Sequence, residues 1–172
     1  RLLVEPFALH LPRAVPPLRK LRSYVEQARL PMPERMESYN FLHRTALENI
    51  FQADFLETVD TDDPIKNIRE TYQQPATDSM LKRMLYLDWK ITLADNDLRK
   101  VTQTCQLAGI EVRYPMLDEE LVDFSTRIPD RLLMRRLELR SFYRRALGDF
   151  LPAATLDKSK HGFGLPFGIW MS

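Results

Sequence analysis

Three groups of residues have types and spacing that could do chemistry. The first is the pair Glu111 and Arg113 in "EVRYPML", residues 111–117. In an extended segment alternate side chains project to one side, so Glu111 and Arg113 share a face opposite Val112 and Tyr114. A carboxylate held beside a cation in a cleft can accept a proton from an amine nucleophile or orient it; the plainer reading is an ion pair at a loop edge. The second group is Arg135, Arg136, Arg140, Arg144 and Arg145. On one helix Arg136, Arg140 and Arg144 would form an i, i+4, i+8 stripe. Such a stripe is either a solvated basic face with packed stems or a contact to polyphosphate, which the guanidinium fork suits. The third is "KSKHGFGLPFG", residues 158–168, which holds three of the chain's five glycines. Gly162 and Gly164 allow positive φ and close backbone approach, so amides there could face an anion while Lys158 and Lys160 add charge. A flexible loop is the bland alternative.

Other chemistries find no footing. Cys105 is the single cysteine, and His10, His43 and His161 are far apart, so no metal-ligand spacing exists. There is no GxxxxGK[ST] phosphate loop, no GxGxxG after a strand and no Ser-His-Asp signature. Cys105 falls on an apolar helical stripe and reads as core.

The elements that must position these groups read as helices. Residues 1–17 carry four prolines and read as a connecting arm. Leu18, Leu21, Val25 and Ala28 form a helical stripe stopped by Pro31. Pro33 opens a second helical stretch, in which Met36, Tyr39, Leu42, Leu47 and Ile50 recur at helical spacing as one helix or two in series. "VDTDDP" at 59–64 and "TYQQPATDS" at 71–79 read as turns, with Asp78 or Ser79 capping a short apolar helix over 80–87. Asp95 is placed as the N-cap of a helix carrying Leu98, Val101 and Cys105, which Gly109 ends. Residues 111–117 alternate and read as the one extended segment. Asp118 caps a helix that ends before Pro129. A last helix over 137–147 buries Leu139, Phe142, Tyr143, Ala146 and Leu147, with Gly148 after it. The class is mainly α.

Length and composition bound the rest. A chain of 172 residues, 44% hydrophobic and with a net charge of +1, has enough apolar content for a core and lacks the basic excess of a dedicated nucleic-acid binder. A single cysteine suits a reducing compartment, and no apolar run is long enough to span a membrane, so a cytoplasmic location is expected. The chain opens on Arg1 and stops at "GIWMS", so both ends look truncated and a fragment of a longer protein is expected.

Taken together, "DNDLRKVTQTCQLAGIEVRYPMLDEELVDFSTRIP" (95–129), "LRSFYRRALGDFLP" (139–152) and "KSKHGFGLPFGIW" (158–170) resemble the C-terminal part of the synthetase domain of glutamine-dependent asparagine synthetases. That family shows "KVD", "EVRxPFLD", "KxxLRxA…LP" and "KxGFGxP…W" in this order. The resemblance is clearest over residues 80–172. It implies the helical C-terminal half of a PP-loop ATP-pyrophosphatase domain, of the adenine-nucleotide α-hydrolase-like α/β type. The parallel-sheet half with its SGGxDS phosphate loop would lie upstream, as would a glutaminase domain with a cysteine nucleophile. It further implies that ATP and Mg²⁺ activate a carboxylate, that of aspartate or an analogue, as an acyl-adenylate. Glutamine-derived ammonia then amidates it. Glu111 falls on the glutamate of "EVR" and inherits the handling of the nucleophile's proton. Lys160 falls on the lysine of the glycine loop and inherits stabilisation of phosphate charge. Arg113, Asp118, Arg140, Lys158, Gly162 and Gly164 join it as substrate- or phosphate-binding candidates, with no metal ligand among them. A fragment of this kind would bind no cofactor tightly and would be inactive alone; a homodimer is a possible assembly.

The sequence departs from the family pattern at Thr102, where the aspartate of "KVD" is usual, at Arg140, where a lysine commonly precedes "LRxA", and at Met116, which replaces a phenylalanine. Thr102 and Arg140 keep one alternative open, a helical interaction module that has lost catalysis; the arginine stripe by its charge keeps another, a nucleic-acid contact.

Overall fold

The computed structural model describes residues 16–39, 45–136, 138, 140–159 and 170. The chain divides into two compact units, Arg1–Tyr114 and Pro115–Ser172. The described residues form helices and turns, with one isolated antiparallel bridge between Arg135 and Glu138 and no strand. No described helix is long and apolar enough to cross a membrane.

In the first unit, helix α1 runs Pro16–Arg29, starting inside the stretch read as an arm. Arg35 ends it: Nε and Nη2 donate to the carbonyl of Leu30 and Nη2 also to that of Ala28, at 2.7–2.9 Å. These are the carbonyls a helix end leaves unpaired. Of the one helix or two in series expected after Pro33, the described residues form the 3₁₀ turns Met36–Tyr39 and Leu47–Asn49, and residues 40–44 lie outside the described residues. The Met32–Pro33 peptide is cis. Helix α2, Ala53–Thr58, was not foreseen. Helix α3, Asp63–Gln73, begins inside one expected turn and ends inside the other. Pro64 sits in its first turn, where the missing N–H has no helical partner to lose.

A continuous helical rod comes next. Helix α4, Met80–Leu87, is capped by Ser79, whose Oγ accepts from the Lys82 amide at 3.0 Å. It passes without interruption into a π-helical stretch, Asp88–Leu98, and then into helix α5, Arg99–Leu107. Asp95 is therefore interior to the rod and caps nothing. Tyr72 and Ile68 of α3 and Leu87 of α4 are buried together, with Met32, Met36, Ile65, Met84 and Ile91 packed around them. The stripe Met84, Leu87, Ile91 at three- and four-residue spacing thus explains which face of the rod turns inward.

In the second unit, Pro115–Leu117 is a 3₁₀ turn, so the extended reading fails there. Helix α6, Glu119–Arg127, follows its expected cap: Asp118 Oδ1 accepts from the amides of Glu120 and Leu121 at 3.0 and 3.4 Å. Short helices α7, Asp130–Leu133, α8, Ser141–Ala146, and α9, Ala153–Leu156, follow among the described residues. Ile128 and Ser141 are buried, and the rings of Phe124 and Phe142 meet at 6.4 Å. The expected helix over 137–147 is cut to α8 because Arg136 and Arg140 both hold positive φ, 58° and 57°. That conformation breaks the helical period and abolishes the Arg136–Arg140–Arg144 stripe. Tyr143, expected in the buried arc, is exposed; Leu139 lies outside the described residues.

Candidate functional site

The site residues fall in two places, one in each unit. In the first unit the chain leaves α5 through a glycine cap. Gly109 has φ +69°, its amide donates to Gln106 O at 3.0 Å, and the Ile110 amide donates to Cys105 O at 2.8 Å. This paired 6→1 and 5→2 pattern is the Schellman motif, which favours glycine at the left-handed position. Cys105 itself is half-buried rather than core.

Beyond the cap, residues 111–114 alternate as expected: Val112 and Tyr114 are half-buried, while Glu111 and Arg113 are 76% and 83% exposed at the side chain. Arg113 Nη2 and Nε both donate to Glu111 Oε1, at 2.8 and 3.0 Å. Oε2 takes no hydrogen bond from any described residue. Both guanidinium bonds thus fall on Oε1, and Oε2 is left open to a proton donor. Sequence reasoning missed what anchors this segment. The hydroxyls of Thr102, on α5, and Tyr114 share a hydrogen bond of 2.8 Å, half-buried.

In the second unit Glu138, Arg140, Tyr143, Arg144, Asp157 and Lys158 line a cavity of about 300 Å³. Arg144 bridges two carboxylates, Glu138 at 3.2 Å and Asp157 at 3.1 Å. Three cations thus face two carboxylates, and both carboxylates engage the same arginine. Arg140 and Lys158 have no carboxylate partner among the described residues, which leaves the cavity with positive charge to offer an anion. Arg140 precedes α8 in the left-handed conformation, φ 57° and ψ 25°. Arg144, Glu138 and Asp157 were not picked out together because their meeting depends on the turn at Arg136 and on α9.

Asp118, the remaining described candidate, serves as the α6 cap. Lys160, Gly162 and Gly164 lie outside the described residues, as do His10, His43 and His161. Among the described residues no group of three or more His, Cys, Asp or Glu side chains is gathered as a protein-held metal needs. Mg²⁺ is usually held through one or two carboxylates and substrate phosphates rather than by an all-protein cage. A larger groove of about 990 Å³ in the first unit, walled by Leu30, Phe51, Phe55 and Val59, is predominantly apolar and brings no candidate residue together.

The asparagine synthase family model matches residues 6–172. The chain is 22% identical over 164 residues to asparagine synthetase (glutamine-hydrolysing) 1 of Bacillus subtilis (strain 168), a match covering 95% of this chain and 25% of that relative. It is 27% identical, over a 192-residue alignment, to proteins of Mycobacterium bovis and Mycobacterium tuberculosis provisionally named asparagine synthetase (glutamine-hydrolysing). That alignment covers 97% of this chain and 28% of each relative. The chain therefore spans about a quarter of the length of these curated relatives. No solved structure gives a significant match.

Proposed function

The chain belongs to the asparagine synthase family, and we propose that it supplies the amine-handling and phosphate-facing residues of an ATP-dependent, glutamine-hydrolysing amide ligase. The carboxylate of aspartate or an analogue attacks the α-phosphorus of ATP, pyrophosphate leaves, and an acyl-adenylate forms. Ammonia from glutamine then attacks the acyl carbon, the C–O bond to AMP breaks, and the nitrogen must lose a proton. Glu111 Oε2 takes that proton while Arg113 holds Oε1. Arg140 and Lys158 face the phosphate charge that develops as pyrophosphate departs, and Lys160 takes the same role from its place in the family's glycine-loop motif. The upstream phosphate-loop half and a glutaminase domain are the partners this chemistry requires. The chain has no SGGxDS loop, so it binds ATP weakly alone and does not turn over by itself.

The single observation that carries the reading is the one-sided grip on Glu111: Arg113 engages Oε1 twice and leaves Oε2 open. The test is product analysis in the full-length synthetase that carries this chain, given glutamine, ATP, Mg²⁺ and a panel of carboxylates led by aspartate. Amide, AMP and pyrophosphate rising in step support it. ADP and orthophosphate as the nucleotide products would exclude the adenylate route.

A further inference from the structure

We propose that the Thr102–Tyr114 hydroxyl pair is a latch that positions Glu111, which makes Thr102 and Tyr114 positioning residues for the amine-handling step. The proposal rests on the reading of Glu111 given above, and its test separates the two.

The loop that carries Glu111 is tied to one helix at both ends. At its start the Ile110 amide donates to Cys105 O at 2.8 Å. At its end the Tyr114 hydroxyl meets Thr102 Oγ1 at 2.8 Å. Thr102 and Cys105 stand one turn apart on α5, so both ties land on the same side of the helix. Between the ties lie only Glu111, Val112 and Arg113. Glu111 and Arg113 are too exposed for packing to place them, and an exposed ion pair holds its own geometry weakly. The direction of Glu111 must therefore come from the backbone, and the backbone is fixed by the two ties. The hydroxyl pair is the one side-chain hydrogen bond that joins residues 111–114 to α5 among the described residues. Both hydroxyls are half-buried, so removing one strands the other, which is more damaging than removing both. The family pattern has a carboxylate at position 102; here the threonine is not an idle replacement, because its hydroxyl has a partner.

The latch is tested first in the chain itself, by backbone amide order parameters at Glu111, Val112 and Arg113. In the unaltered chain they stand near the rigid value of about 0.85, and in Thr102→Val and in Tyr114→Phe they fall below about 0.6. The double variant falls no further than the lower single, and Thr102→Ser keeps the rigid value. Unchanged order parameters in both singles, or losses that add in the double, overturn the proposal. In the full-length synthetase Tyr114→Phe lowers amide formation about five- to tenfold, the equivalent of one lost hydrogen bond. Pyrophosphate exchange and the KM for the carboxylate stay unchanged, and on a Glu111→Gln background Tyr114→Phe has no further effect. A loosened loop with undiminished amide formation overturns the positioning role. If Glu111→Gln alone leaves amide formation untouched, the reading of Glu111 falls, and with it the latch's role in the reaction.

Discussion

Arg140 sits in the left-handed region without being glycine, a conformation that costs a residue with a side chain roughly 1–2 kcal/mol. Strain held at a cavity wall with two other cations points to use of the side chain rather than to stability. Arg140→Gly removes the strain but also adds the chain entropy of glycine, so thermal unfolding should show a net gain of about 0–1 kcal/mol. The same substitution should weaken inhibition of the full-length synthetase by inorganic pyrophosphate. A loss of stability with unchanged pyrophosphate inhibition would make Arg140 a structural residue. At this scale the sequence was legible where geometry is local. Glu111 and Arg113 share a face because period-two alternation dictates it. The Arg144 bridge to Asp157 spans thirteen residues, and no periodicity announces it. The expected arginine stripe failed because positive φ at an arginine carries no sequence signal of the kind glycine or asparagine gives.

At the scale of elements, caps were the most legible feature. Ser79, Asp118 and Gly109 each do what their type and position foretold, since a cap is decided by a few neighbouring atoms. An added Cβ at Gly109 would meet nothing within 4 Å, so the cost of Gly109→Ala comes from the positive φ alone. Chemical denaturation should show a loss of about 1 kcal/mol. A much larger loss would mean that the turn is packed more tightly than the open space around it allows. Helix α3 was missed although its signal was present: Asp62, Asp63 and Pro64 form a helix start as readily as a turn. The π stretch was missed because a single helical period cannot follow a change of phase.

The proline turn is held to α3 by Glu34, whose Oε1 accepts from Arg69 Nε at 2.6 Å. Burial acts most strongly on this carboxyl and pushes its pKa up, but backbone hydrogen bonding and the Arg69 guanidinium together outweigh it and hold the pKa below the ordinary glutamate range. A depressed pKa means that the stabilisation is fully present above the unfolded value of about 4.3 and fades as pH falls through the folded value. Glu34→Gln should therefore lower stability at neutral pH and flatten the loss on acidification below about pH 4. Unfolding free energies from pH 3 to 7 would show it, and parallel curves for both proteins would refute it.

For the molecule as a whole, composition predicted a core, and one is present around Tyr72 and Leu87. Much apolar surface nevertheless stays outside it: Leu107 is 91% exposed and Phe150 81%. Composition counts apolar residues and cannot say which are covered within this chain. Family membership was legible because three motifs keep their order over residues 95–170, while the first half is helical without a signature. Leu107→Glu should leave stability within about 0.5 kcal/mol of the parent chain, and a large loss would mean that Leu107 is packed in solution. The central claim is that Glu111 acts on the amine after the adenylate has formed. It is met most directly by Glu111→Gln in the full-length synthetase, with carboxylate-dependent ATP–pyrophosphate exchange measured beside amide formation. Exchange should persist while amide formation falls by at least about 10²-fold, the usual worth of a positioned general base. Equal loss of both rates would contradict the account and place Glu111 in adenylation or in the fold.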